Sequence, residues 1–201
     1  MNVVPTRLPG VLLVEPRAFG DERGYFFESW SAARYEAAGI PPAFVQDNIS
    51  YSRRGILRGL HLQNPHAQGK LVSVLRGEVF DVVVDVRTGS PTFGQWVGVL
   101  LSATNHRQLW VPEGFAHGFC VTGDEALFHY KCTDGYHPEC EMALRWIAMN
   151  PQLAYRPVGI LDADPFLSGK QIHDVVILGG YDQLETILSQ KQVDGVIVTP
   201  G

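Results

Sequence analysis

Between residues 44 and 147 the chain breaks into short runs that restrict its choice of fold: "KLVSVLRGEVFDVVVDVR", "FGQWVGVLLS", "RQLWVPEG", "HGFCVTG", "EALFHYKC" and "MALRWI". Each is rich in β-branched or aromatic residues, which suit a pleated, half-buried surface, and Gly, Pro, Asn and Asp between them supply turns. No helical period of comparable length intervenes. The spacing therefore predicts a mainly β barrel or sandwich and disfavours a doubly wound α/β core. A chain of 201 residues with 45% hydrophobic content can bury one substantial core.

The flanks read differently. Residues 11 to 14 and 25 to 28 are expected as strands on either side of a turn, "FGDERG". A short helix is expected over 31 to 38, with Ser31 as its cap and Gly39, Pro41 and Pro42 as its stop. At the far end "HDVVILGG", "YDQLETILSQKQ" and "VDGVIVTPG" read as strand, helix and strand. Such a unit cannot bury its own apolar faces, so it packs on the barrel, joins a partner chain or begins a further region. Residues 1–173 are accordingly read as the main domain and 174–201 as a C-terminal extension of open role.

A net charge of -5 argues against general nucleic-acid binding, which relies on neutralising many phosphates. Cys120, Cys132 and Cys140 form no CxxC pair and cannot all pair internally, which favours a reducing compartment and the cytoplasm. No window approaches the roughly 18 apolar residues of a spanning helix, and the N-terminus does not read as a signal peptide.

Within this acidic chain, Arg53, Arg54, Arg58, Lys70 and Arg76 cluster, with Arg23 in another Gly-flanked turn. Arginine forks onto phosphate and lysine offers a movable point charge, so the cluster suits a diphosphate or a developing oxyanion; the alternative is a solvated surface. His61 is a base if a second group orients its ring, and otherwise a hydrogen-bonded core residue. Regular alternation puts Arg58 and His61 on opposite faces, but Gly59 between them invites a bulge that re-aims them. Pro112, Gly114 and His117 in "PEGFAHG" match the P-x-G-x-x-H pattern of the second cupin motif. The first motif's H-x-H is incomplete, because Leu62 and Gln63 follow His61, which leaves His61, His117 and a distant Glu78 as the groups open to a metal. Phe128 and Tyr130 share one face of a strand, with His129 and Lys131 on the other. Tyr130 is either an ordinary barrel residue or an inward proton donor, and Trp96, Trp110 and Trp146 are read as packing.

Taken together, "FGDERGYFFESW", "FVQDNISYSRRGILRGLH", "AQGKLVSVLRGEVFDVVVDVRTGSPTFGQWVG", "LSATNHRQLWVPEGFAHGF" and "FHYKCTDGYHPECE" resemble the dTDP-4-dehydrorhamnose 3,5-epimerase family over about residues 7 to 170. The resemblance implies a cupin-type jelly roll, a homodimer that exchanges an N-terminal segment, and a dTDP-4-keto-6-deoxy sugar as substrate. It implies His61 as base, Tyr130 as proton donor and Lys70 as the cation beside the C4 oxyanion, without metal or redox cofactor. Arg23, Glu28, Gln46, Asn48, Arg58, His117, Glu141 and Lys170 match positions that bind the nucleotide sugar, and Arg23 and Glu28 are expected to serve the neighbouring subunit. Two departures stand out. Gln171 replaces an Asp expected to support the base, and an amide orients an imidazole without stabilising its cation, so Asp174 is the alternative support. Gly135 replaces a Tyr and leaves Tyr136 to hold thymine or sugar. Both bear on whether one carbon or two are epimerised, and a binding module with reduced turnover and a metal-dependent cupin enzyme remain as alternatives.

Overall fold

The computed structural model describes residues 1–137, 140, 160–161, 169, 171–172, 175–180 and 183–190. The chain divides into two compact units, Met1–Glu141 and Met142–Gly201.

In the first unit the strands are β1 (Asn2–Pro5), β2 (Leu12–Glu15), β3 (Phe19–Asp21), β4 (Gly24–Phe26), β5 (Gln46–Arg53), β6 (Leu57–His61), β7 (Lys70–Asp85), β8 (Trp96–Ser102), β9 (Gln108–Val111) and β10 (Phe115–Cys132). One short helix, α1 (Ala32–Ala37), lies between β4 and β5. The architecture is the mainly β one that the strand texture predicts. An eight-stranded antiparallel sheet runs β1-β2-β9-β7-β10-β5, with β6 also on β10 and β8 also on β7.

The two long strands organise this sheet by changing partners along their length. Lys70–Ser73 of β7 pair with β9, whereas Glu78–Val84 pair with β8. Likewise the C-terminal half of β10 pairs with β5 and its N-terminal part with β6. "HGFCVTG" and "EALFHYKC", expected as separate strands, are thus one strand that bends. The register between β7 and β10 shifts between Val121 and Ala126 and again between Leu127 and Phe128. Gly77 makes the bend possible: at φ +81 it lies so close to the Glu125 carbonyl that a Cβ there would overlap it.

Between the two halves lies the main core, formed by Val72, Val74, Val79, Val83, Leu101, Leu109, Phe119, Val121 and Phe128 among others, with Tyr130 packed against it. Phe119 and Phe128 stack across it at 4.1 Å between ring centroids. Burying a side chain of this size contributes about 1.5–3 kcal/mol. A second cluster, Val14, Tyr35, Ile40, Leu71 and Trp110, seats α1 on the sheet. Trp110 is packing as expected, but Trp96 is half exposed with Arg7 over its ring at 5.1 Å. Trp146 lies outside the described residues.

Two local expectations change and a third holds. "FGDERG" is the tip of a hairpin, since Phe19–Asp21 pairs with Gly24–Phe26 as a strand of its own. Ser31 occupies the helix N-cap position but makes no side-chain capping bond. Gly39 stops the helix as expected, at φ +86, and its N–H and that of Ala38 bond back to Glu36 and Tyr35 carbonyls.

In the second unit the described strands β11 (Ile160–Leu161), β12 (Gln171–Ile172) and β13 (Val175–Gly179) form a small sheet with β13 in the middle, followed by α2 (Leu184–Gln190). "HDVVILGG" and "YDQLETILSQKQ" thus contain the expected strand and helix, and β13 finds its neighbours in residues 160–161 and 171–172. The final expected strand and the expected boundary at 173 and 174 lie outside the described residues. No described helix is long and apolar enough to cross a membrane.

Candidate active site

Chemistry-bearing side chains gather on the inner face of β5, β6, β7 and β10, and pairing register shows how. In the C-terminal half of β10, Tyr130 lies opposite Asn48 on one side and Val72 on the other, and Cys132 opposite Gln46 and Lys70. Directly opposed residues share a face. Gln46, Asn48, Lys70 and Tyr130 therefore line the same surface as the core residues Val72 and Phe128. Gln46 donates to Asn48 Oδ1 at 2.9 Å and accepts the Tyr136 N–H at 3.0 Å. The intervening residues point outward, as alternation predicts: Lys131 pairs with Asp47 at 2.8 Å, and His129 stands 3.7 Å from the same carboxylate.

In the other half, β6 carries the bulge that Gly59 invites. His61 lies opposite His117 and Arg58 opposite Phe119, so three steps on β6 match two on β10. The extra residue turns Arg58 and His61 to one face instead of two. Gly59, at φ +124, and Gly118 permit it, because a Cβ on either would collide with the other's Cα. Arg58 Nε then donates to Ser52 Oγ at 2.9 Å. His61 and Arg58 thus come from one half of the sheet and Tyr130 and Lys70 from the other, with the Phe119–Phe128 stack between the halves.

Asp81 was not among the candidates drawn from sequence. It is fully buried opposite Phe119, and His117 Nε2 reaches both its carboxylate oxygens, at 2.9 and 3.0 Å. Burial pushes its pKa up, against the pull of the His117 contact and the Lys70 charge. Its only sequence signal is a carboxylate inside the apolar run "VFDVVVD". With Nε2 engaged by Asp81, His117 has Nδ1 left to offer a ligand.

Other candidates lie apart from this group. Arg23, at the β3–β4 tip, is exposed and bonded to Asp21, and Glu28 pairs with Arg34 at 3.1 Å. Tyr136 is half exposed. Glu141, Lys170 and Asp174 lie outside the described residues; Gln171 lies in β12 of the second unit, with its side chain outside the description.

A bent antiparallel sheet with polar residues on its inner face is a cupin-like fold. Comparison with known proteins makes this specific. Residues 5–177 match the family described as dTDP-4-dehydrorhamnose 3,5-epimerase. The chain is 54% identical over 175 residues to the dTDP-4-dehydrorhamnose 3,5-epimerase of Shigella flexneri, covering 86% of this chain and 94% of that protein. It is 58% identical over 147 residues to the Pseudomonas aeruginosa enzyme of that name, covering 73% and 81%. A Legionella pneumophila dTDP-6-deoxy-D-glucose-3,5-epimerase, solved in complex with dTDP-4-keto-L-rhamnose, superposes with a TM-score of 0.71 at 58% identity, covering 77% of this chain and 81% of that one. The chain belongs to the dTDP-4-dehydrorhamnose 3,5-epimerase family, and it is an isomerase.

Proposed function

We propose that the enzyme binds a dTDP-4-keto-6-deoxyhexose and inverts it at C3 and C5. The C4 carbonyl acidifies both neighbouring C–H bonds. Inversion requires a base on one side of the ring, an acid on the other, and a positive group at the enolate oxygen. In this reading His61 removes the proton, Lys70 stabilises the C4 oxyanion, and Tyr130 returns a proton from the opposite side. The observation that carries it is the origin of His61 and Tyr130 in opposing halves of one bent sheet, both on its inner face.

Arg58 is the diphosphate clamp in this scheme, while Gln46, Asn48, His117 and Tyr136 hold the nucleotide sugar, together with Glu141. Asp81 fixes the orientation of His117.

A homodimer that exchanges the N-terminal hairpin fits the large apolar surface there: Phe19, Tyr25 and Phe26 are 54%, 62% and 71% exposed. Arg23 and Glu28 would then complete the partner's pocket. A cytoplasmic location fits the free thiols of Cys120 and Cys132.

The test is incubation with dTDP-4-keto-6-deoxyglucose in heavy water, followed by NMR. Deuterium should enter at both C3 and C5, and the product should have both centres inverted. Exchange at one carbon alone would reduce the activity to a single epimerisation, and exchange at neither would overturn it.

A further inference from the structure

Of the basic residues that cluster in sequence, Arg54 and Arg76 spend their charge on surface carboxylates: Arg54 stands 3.4 Å from Asp124 and Arg76 stands 2.8 Å from Glu125. Arg58 does not. Its Nε donates to Ser52 Oγ at 2.9 Å and its Nη2 to the Tyr51 carbonyl at 3.4 Å, and among the described residues its polar partners are these two neutral oxygens. A hydroxyl and a carbonyl fix where the guanidinium lies without neutralising it. The charge stays available to an anion.

The tether is itself well anchored. Ser52 is 4% exposed and belongs to the inward row of β5, because it lies opposite the core residue Ala126, which in turn faces Gly77 at the bend of the sheet. Tyr51, next to it, points outward, and its hydroxyl donates to Glu125 Oε2 at 2.9 Å, on the carboxylate that also holds Arg76. The turn from β5 into β6 is pinned to β10 by backbone bonds, from the Arg54 N–H to the Asp124 carbonyl at 2.9 Å and from the Gly55 N–H to the Val121 carbonyl at 3.0 Å. Ser52 and Arg58 are thus six positions apart on two strands that β10 holds in fixed register.

We propose that Ser52 is a positioning residue for recognition of the substrate's diphosphate: by holding Nε, its hydroxyl aims the Nη1 edge of Arg58 at the phosphate oxygens. The inference rests on the role of Arg58 proposed above. An untethered arginine has many rotamers, and an anion that bound it would have to freeze them at the moment of binding. Ser52 has already removed that freedom. With Nε engaged by a neutral acceptor, Nη1 and the second N–H of Nη2 still stand side by side, a spacing that suits two oxygens of a phosphate. A carboxylate in place of Ser52 would hold the guanidinium as firmly but cancel the charge the anion needs.

Calorimetric titration of the full-length enzyme with dTDP, together with steady-state kinetics on dTDP-4-keto-6-deoxyglucose, tests this in a double-mutant cycle. Ser52→Ala should weaken dTDP binding about tenfold and raise KM to match while kcat stays within about twofold of the parent's. Ser52→Cys, which fills nearly the same space with a poor acceptor, should do the same. Arg58→Ala should weaken dTDP about 10²-fold, and Ser52→Ala added to it should cost nothing further. A serine that merely supported the fold would weaken binding by the same factor in both backgrounds. Parental dTDP affinity in the two Ser52 variants, or an equal loss in both backgrounds, would overturn the role of Ser52 alone. Parental affinity in Arg58→Ala would instead overturn the clamp, and Ser52 with it.

Discussion

Two aspartates four positions apart on β7, Asp81 and Asp85, are both fully buried, yet they are supported in opposite ways. Asp85 accepts the Arg87 N–H at 3.0 Å, the Arg87 guanidinium at 2.9 and 2.8 Å, and the Ser90 and Thr92 hydroxyls at 2.6 and 2.5 Å. Burial alone would push its pKa up, but these donors outweigh it and hold the carboxyl far below the usual range. Asp81 has the His117 imidazole and the charge of Lys70, and burial wins. One carboxylate is saturated with donors and organises the turn after β7. The other is undersupplied beside the inner-face group, where a fold selected for stability alone would place an apolar residue.

The largest expected effect is on folding. Asp85→Ala should destabilise the enzyme by about 3 kcal/mol in urea unfolding, because it leaves the Ser90 and Thr92 hydroxyls and the Arg87 backbone N–H without their acceptor, while activity per folded molecule is kept. The sign of the pH dependence follows from the depressed folded pKa. Asp85's contribution is fully present above the ordinary aspartate pKa and is lost as pH falls through and below it, so acid unfolding of Asp85→Asn should be less steep than the parent's. Next comes catalysis: Asp81→Asn should lower kcat/KM about 10²-fold, some 2.7 kcal/mol, chiefly through KM because His117 loses its orientation. Its stability should change by no more than about 1 kcal/mol, since a raised pKa marks a carboxylate whose charge costs the fold. Equal losses of stability in the two variants would erase the distinction.

Smaller effects grade the turn. Thr92→Val should cost about 1–2 kcal/mol by removing one donor from a buried acceptor. Asp47→Asn, on the outer face of β5, should cost at most about 1 kcal/mol, because its bond to Lys131 lies toward solvent. Parallel urea titrations check both.

Most of the fold was legible in residues 44–137, because β-branched runs broken by turn residues have few other solutions; the expected strand "MALRWI" lies outside the described residues. Alternation also put Tyr130 and Lys131 on opposite faces, and pairing with β5 and β7 shows Tyr130's to be the inner one. Local sequence could not show that "HGFCVTG" and "EALFHYKC" form one bent strand, since the bend is set by the approach of Gly77 to Glu125, some fifty positions away. The β6 bulge was legible as an option at Gly59, but its outcome depended on packing against Gly118. Asp81 was missed for a similar reason: in sequence it interrupts an apolar strand, and only pairing with β10 brings it to His117. His66 read as a plain loop residue because its neighbours in space, Asp134 and His137, come from the segment after β10.

The central claim is that a base on one half of the sheet works with an acid and a cation on the other. The rate of deuterium entry from solvent into saturating dTDP-4-keto-6-deoxyglucose, compared between the parent and His61→Asn, tests it most directly. A fall of about 10²–10⁴-fold with dTDP affinity retained is the predicted result. Exchange at the parental rate would contradict it.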